Sequence, residues 1–159
     1  ELGADRIVNA VAAMHKYKAP MIIVDFGTAT TFCAINEKNE YLGGAITSGL
    51  RISMEALFAK AAKLPKVELA APENVIGRTT VSAMQSGLVY GYADMVDGMI
   101  VRIAREMGTT PEEVFVVATG GHSQTICDNC RYVDTVDSML TLEGMRLIAE
   151  RNKGGARRA

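Results

Sequence analysis

The chain has 159 residues, the size of one ordinary domain. A 48% hydrophobic and 22% charged composition suits a globular protein with a buried core, and 17 Lys plus Arg against 18 Asp plus Glu leave a net charge of -1, which argues against a nucleic-acid partner or an anionic-membrane binder. No apolar run approaches the ~20 residues that span a bilayer, Glu1, Asp5 and Arg6 do not fit a secretory signal, and three cysteines (Cys33, Cys127, Cys130) are too few for a disulfide framework, so a reducing, cytoplasmic setting is expected.

The first element is a helix over 5–18, with Val8, Val11, Ala12 and His15 at three- and four-residue spacing and Pro20 as its stop. Met21–Val24 is a short apolar run and reads as a buried central strand. It ends at Asp25-Phe26-Gly27. Residues 31–35 form a second strand, the polar Asn36–Glu40 a turn, and 41–47 a third strand in which Gly43-Gly44 marks a weakness or a bulge. Three strands on short links make an antiparallel meander. Ser48-Gly49 breaks the sheet, and a helix follows over 53–63. After a loop carrying Pro65 and Pro72 comes a long helix over 81–107. Its apolar stripe is Val81, Met84, Leu88, Tyr92, Met95, Met99, Ile103 and Met107, with Ser82 and Gln85 as a capping box and Gly108 as its stop. Val114–Ala118 is another buried strand, 132–136 a strand, and 140–150 the last helix, ahead of a frayed basic tail. The order predicts one α/β domain, a mixed sheet covered by helices.

Ligand loops in such sheets gather at the carboxyl ends of strands. Two candidates sit there. Asp25-Phe26-Gly27-Thr28-Ala29-Thr30-Thr31 offers a carboxylate for a cation, a glycine for close approach of an anion, and hydroxyls for phosphate oxygens; it reads equally as an Asp-Gly turn before a Thr-rich strand. Ala118-Thr119-Gly120-Gly121-His122 could let a flat ligand lie on the backbone, or be a plain turn. At Gly3-Ala4-Asp5-Arg6, helix capping is the first reading of Asp5. Rival phosphate motifs fail, because Leu50 and Arg51 stand where a Walker loop needs Lys and Ser/Thr, and no two glycines have G-x-G spacing. Cys127 and Cys130 have C-x-x-C spacing but lack the second pair of a structural zinc site, so two reduced thiols are expected. Gly87, Gly91 and Gly98 each cost the long helix about 1 kcal/mol relative to Ala, which points to close packing of another element, in this chain or in a partner, at Gly87 and Gly91.

In order and spacing, these segments resemble the type III pantothenate kinases of the acetate and sugar kinase/actin-like superfamily. The carriers are Gly3–Arg6, Asp25–Thr31, Gly43-Gly44-Ala45-Ile46, Thr80 with Met84-Gln85-Ser86-Gly87, Ala118–Gly121 and Leu140-Thr141-Leu142-Glu143-Gly144. The resemblance implies a ribonuclease-H-like (actin-like ATPase) fold and ATP-dependent phosphorylation of pantothenate to 4'-phosphopantothenate, the entry to coenzyme A, with Mg2+ and a monovalent cation (K+ or NH4+). It implies Asp5 as catalytic base and Gly3, Ala4, Asp5, Arg6 and Thr80 as pantothenate contacts, Thr80 reaching the neighbouring subunit of a homodimer. Gly27, Thr28, Gly120 and Gly121 would meet ATP, and Asp25 the monovalent cation. The family's first phosphate motif, of Asp-x-Gly-Asn-Thr type, is absent. Residues 1–152 are therefore expected to be the second half of a two-half kinase, with 153–159 a disordered tail and the chain inactive alone. The alternative is a non-catalytic binding or dimerisation module of the same fold.

Overall fold

The computed structural model describes residues 3–60 and 64–156. Helix α1 (Ala4–Lys16) leads into strands β1 (Met21–Phe26), β2 (Ala29–Ile35) and β3 (Tyr41–Ser48). Helices α2 (Leu50–Lys60) and α3 (Thr80–Glu106) follow, then β4 (Phe115–Gly120), α4 (Ser123–Cys127), β5 (Thr135–Val136) and α5 (Leu140–Ala156). The five-stranded sheet has the order β3-β2-β1-β4-β5. The meander β1-β2-β3 is antiparallel, whereas β4 and β5 join β1 in parallel, which gives the expected mixed sheet.

β1 is central because it is apolar on both sides. Ile22, Val24 and Phe26 face a core shared with α3, whose inner line is Val89, Ala93, Val96, Ile100 and Ala104. Met21 and Ile23 face a second core with Ala10, Ala12, Ala13 and Leu140. α1 and α5 cover that side, and they approach closely because Gly144 has no side chain. A Cβ there would lie 2.2 Å from the Val8 carbonyl oxygen.

Several expectations shift. The stripe expected on α3 flanks the true contact line. Met84 and Leu88 are buried, Tyr92, Met95, Met99, Ile103 and Met107 pack at the margins, and Val81 is exposed. Small Ala and Val residues take the centre because they let the helix sit close to the sheet. On α1 the buried residues are Asn9, Ala10, Ala12 and Ala13, while His15 is exposed. The α3 capping box lies three residues earlier than expected. Thr79 Oγ1 accepts from the Ser82 N–H, Ser82 Oγ accepts from the Thr79 N–H, and Gln85 donates instead to the Glu68 carbonyl. At the other end Gly108, at φ +76°, donates to Arg105 O while Thr109 N–H reaches Ala104 O, a Schellman stop. The Gly43-Gly44 segment does carry a bulge: the β2–β3 register shifts at Ala34/Ile35, opposite Gly43 at φ +115°. The strand expected over 132–136 is only Thr135–Val136, α4 was not expected, and α2 starts at Leu50. Residues 61–63, expected at its end, lie outside those described. α5 runs on through Ala156, into the stretch expected as a tail, because nothing in 151–156 breaks a helix except the glycines Gly154 and Gly155.

Candidate active site

Alternation along β1 turns Asp25 to the α1 face, one residue before the strand ends. The register sets Thr31 of β2 and Thr119 of β4 beside it. Asn9, buried on the inner face of α1, donates from Nδ2 to Asp25 Oδ2 at 2.8 Å. Thr141, in the first turn of α5, donates its hydroxyl to Asn9 Oδ1 at 2.7 Å. That bond fixes the amide's orientation, since the Thr hydroxyl uses the oxygen and leaves the NH2 for Asp25. Burial pushes the Asp25 carboxyl above its ordinary range, the Asn9 hydrogen bond opposes this, and the nearby Asp5 charge adds to the rise. A carboxylate held half-buried, with its second oxygen on the Gly27 side, suits a cation ligand. Neither Asn9 nor the Thr141–Asn9 contact was expected as part of the site. A buried Asn on a helix carries no periodic signal, and only its place beside the strand-end acid could have drawn attention.

Asp5 lies in the first turn of α1, exposed to solvent. It is not the cap. Gly3 occupies the N-cap position and no side-chain capping bond forms. Among the described residues Asp5 makes no capping bond, and it stands at a helix N-terminus, where the helix dipole favours an anion. Arg6 is turned toward β2 and β3, where its charge opposes the rise of the Cys33 and Tyr41 groups. Tyr41 is pushed up to about 12 by burial and by its hydrogen bond to Cys33.

The two glycine loops come together at the carboxyl ends of β1 and β4. Phe26 pairs with Gly120, and the Gly121 N–H reaches Phe26 O at 3.3 Å. Gly120 is required there: its φ is +102°, and a Cβ would fall 2.6 Å from Phe26 O. Gly27 and Thr28 are exposed in the adjoining turn, and Gly49 packs against that turn so tightly that its N–H bonds Thr28 O at 3.1 Å. On the far side of the sheet, Tyr92 closes the same edge by bonding Thr30 Oγ1 and Ser48 O, each at 2.7 Å.

Thr80 is not gathered into this cluster. It opens α3, on the opposite face from α1, and the helical rise of about 1.5 Å per residue puts it about 18 Å from Tyr92. The glycines of α3 also differ from one expectation. A Cβ at Gly87, Gly91 or Gly98 would meet nothing within 4 Å, so packing inside the described chain does not account for them. Met84 and Leu88 of the expected stripe are core residues, and Met95 is half-buried against that core. A cavity of about 780 Å³ lies at the other end of the sheet between the β3 bulge and the last turns of α3, lined by Gly43, Gly44, Met99, Arg102 and Met107. None of the candidate residues lines it, so volume does not mark the site here. Among the described residues no three His, Cys, Asp or Glu side chains converge as a metal site, and no helix is long and apolar enough to cross a membrane.

The family model for type III pantothenate kinase matches residues 1–102. The chain belongs to that family. A type III pantothenate kinase of Exiguobacterium is 58% identical over 153 residues, and one of Desulforapulum autotrophicum is 58% identical over 151. These alignments cover 96% and 94% of this chain but only 59% and 56% of the relatives, so the chain spans somewhat over half their length. Among solved structures, a Campylobacter jejuni protein described as a Baf family transcriptional activator superposes with a TM-score of 0.64 at 22% identity, over 96% of this chain and 66% of that one. The activator of the 2-hydroxyisocaproyl-CoA dehydratase from Clostridium difficile, with bound ADPNP, superposes at 0.55 and 13% identity, over 98% and 69%. At such identities the likeness concerns the fold, which is ribonuclease-H-like and actin-like.

Proposed function

We propose that this chain is the second ribonuclease-H-like half, residues 1–152, of a cytoplasmic enzyme that uses ATP to phosphorylate pantothenate on its primary hydroxyl. The observation that carries the reading is the convergence of Asp5, Asp25 and both glycine loops on one end of the sheet, in a chain of this family. Gly3, Ala4, Asp5 and Arg6 form the pantothenate segment. Asp5 orients the hydroxyl and accepts its proton, a modest demand because phosphoryl transfer runs through a loose transition state governed by positioning and charge. Arg6 pairs with the substrate carboxylate. The backbone of Gly27, Thr28, Gly120 and Gly121 receives the nucleotide. Asp25, braced by Asn9, would hold a monovalent cation, which with Mg2+ offsets phosphate charge when bound.

Thr80 serves the pantothenate pocket of a second copy in a homodimer. Its distance from Asp5's end of the sheet supports a contribution in trans rather than to its own site. The chain alone lacks part of the phosphate cradle and should be inactive.

The test is ADP release with pantothenate as acceptor. The intact protein should turn over, the 159-residue chain should not, and Asp5→Asn in the intact protein should lower kcat about 10²–10⁴-fold with nucleotide binding retained. Pantothenate-dependent turnover by the chain alone, or full activity of Asp5→Asn, would refute this assignment.

A further inference from the structure

Cys127 and Cys130 have no part in the site described above, and all three cysteines are free. Cys127 is the last residue of α4, and the chain leaves the helix in tight successive turns, with Asn129 N–H on Ile126 O and Cys130 N–H on Cys127 O, both at 3.0 Å. A four-residue turn of this kind keeps its end Cα atoms within about 7 Å, and disulfides form across about 4.4–6.8 Å. The Cys127 side chain lies within hydrogen-bonding reach of the Cys130 thiol. Their surroundings differ. Cys130 Sγ is directed at the Ile126 and Ala93 carbonyls, at 3.4 and 3.8 Å. Cys127 lines an open cleft of about 310 Å³ with Gln124, Asp128, Asp134 and Thr135. Asp97 of α3 holds the far side of the turn by accepting from the Arg131 and Tyr132 N–H groups at 2.8 and 3.1 Å.

We propose that Cys127 and Cys130 are a reversible dithiol–disulfide pair, oxidised by small-molecule disulfides that enter the Cys127 cleft. Cys127, as thiolate, attacks one sulfur of the small disulfide and releases one equivalent of its thiol. Cys130 then gives up its proton and attacks Cys127 Sγ, releasing the second equivalent. The protein loses two protons and two electrons, and the small disulfide takes them up to become two thiols. The order follows from position: both thiols are half-buried, but Cys127 lines the cleft, whereas hydrogen bonding to Cys127 and burial push the Cys130 thiol up, which makes it the resolving partner. Cys33, 2% exposed on the other face of the sheet, stays out of the exchange.

The test is equilibration of the intact protein across ratios of oxidised to reduced glutathione, with acid quench, alkylation of free thiols and peptide mass mapping. The expected result is a Cys127–Cys130 peptide that loses about 2 Da and all alkylation together as the ratio rises, and recovers both on reduction. Cys127→Ser should abolish any adduct on the remaining cysteine, whereas Cys130→Ser should arrest at a glutathione adduct on Cys127. Cys33→Ser should leave the titration unchanged. A wild-type peptide that stays fully alkylated under excess oxidised glutathione overturns the proposal, as does one that stops at the Cys127 adduct or pairs only between molecules.

Discussion

At the scale of single residues, Asp25 shows what it costs to hold a carboxyl half-buried at a strand end. The strand-end carboxyl is half-buried against α1, and the Asn9 amide donates to it in partial compensation. Burial raises its pKa on folding, so the folded chain holds this proton more tightly than the unfolded chain. Its favourable share of stability is complete below the unfolded carboxyl range and is lost as pH rises through the folded value. Asp25→Asn keeps an oxygen for Asn9 and removes the charge. It should stabilise the protein by about 1 kcal/mol near pH 7 and hardly at all near pH 3.5, as read by urea denaturation at the two pH values; on the proposed cation-binding role of Asp25, turnover of the intact variant should no longer respond to monovalent cations. Asp137 behaves in the opposite sense. Burial works against its anion, but hydrogen bonds from Lys16, Tyr17 and the Met139 N–H outweigh that and hold its carboxyl below the ordinary range. Asp137→Ala should cost about 2–3 kcal/mol at neutral pH, with the penalty fading as pH falls through the folded carboxyl's value. Paired denaturation curves of wild type and variant along a pH series check this.

At the scale of elements, the packing of α1 on α5 decides the site's geometry, because Asn9 and Thr141 come from the two helices. Gly144 is the point of closest approach. Gly144→Ala gains up to about 1 kcal/mol of helix propensity. It also places a methyl 2.2 Å from the Val8 carbonyl oxygen, a backbone atom with no rotamer escape. Overpacking of that kind costs about 1–3 kcal/mol, so the clash should win. The variant should melt several degrees lower and weaken the Asn9–Asp25 contact, measured by thermal unfolding and by the pH dependence of the Asp25 carboxyl signal in NMR.

At the scale of the whole molecule, the outer face of α3 remains open. Gly87, Gly91 and Gly98 face no part of the described chain, so enlarging one should not disturb the protomer. Gly91→Leu should even stabilise it slightly, by up to about 1 kcal/mol through helix propensity. If that face meets a second copy, and Thr80 acts across the contact, the same change in the intact protein should shift it toward monomer and reduce turnover together. Light scattering beside an activity assay over a concentration series reads both. A Gly91→Leu protein that stays dimeric and active would remove α3 from the assembly.

The amino-acid sequence by itself determined the meander, the long helix and its glycine stop, the strand-end aspartate and the two glycine loops. Each depends on local physics: the length of an apolar run, the φ freedom of glycine, the position of proline and polar turns. The ordered motifs also pointed to the family, since spacing along the chain survives without coordinates. Only the tertiary structure decided which polar groups became buried and which surfaces stayed open. Asn9 reads as an ordinary polar helix position until α5 supplies Thr141 and β1 supplies Asp25. Asp5 reads as a cap until Gly3 is found in that place. The methionine stripe of α3 reads as its buried face until the sheet selects the smaller Val and Ala line for close contact. In each case hydrophobicity along one element is silent about the neighbour, because contact distance and hydrogen-bond partners are set by residues more than a hundred positions away or on another strand.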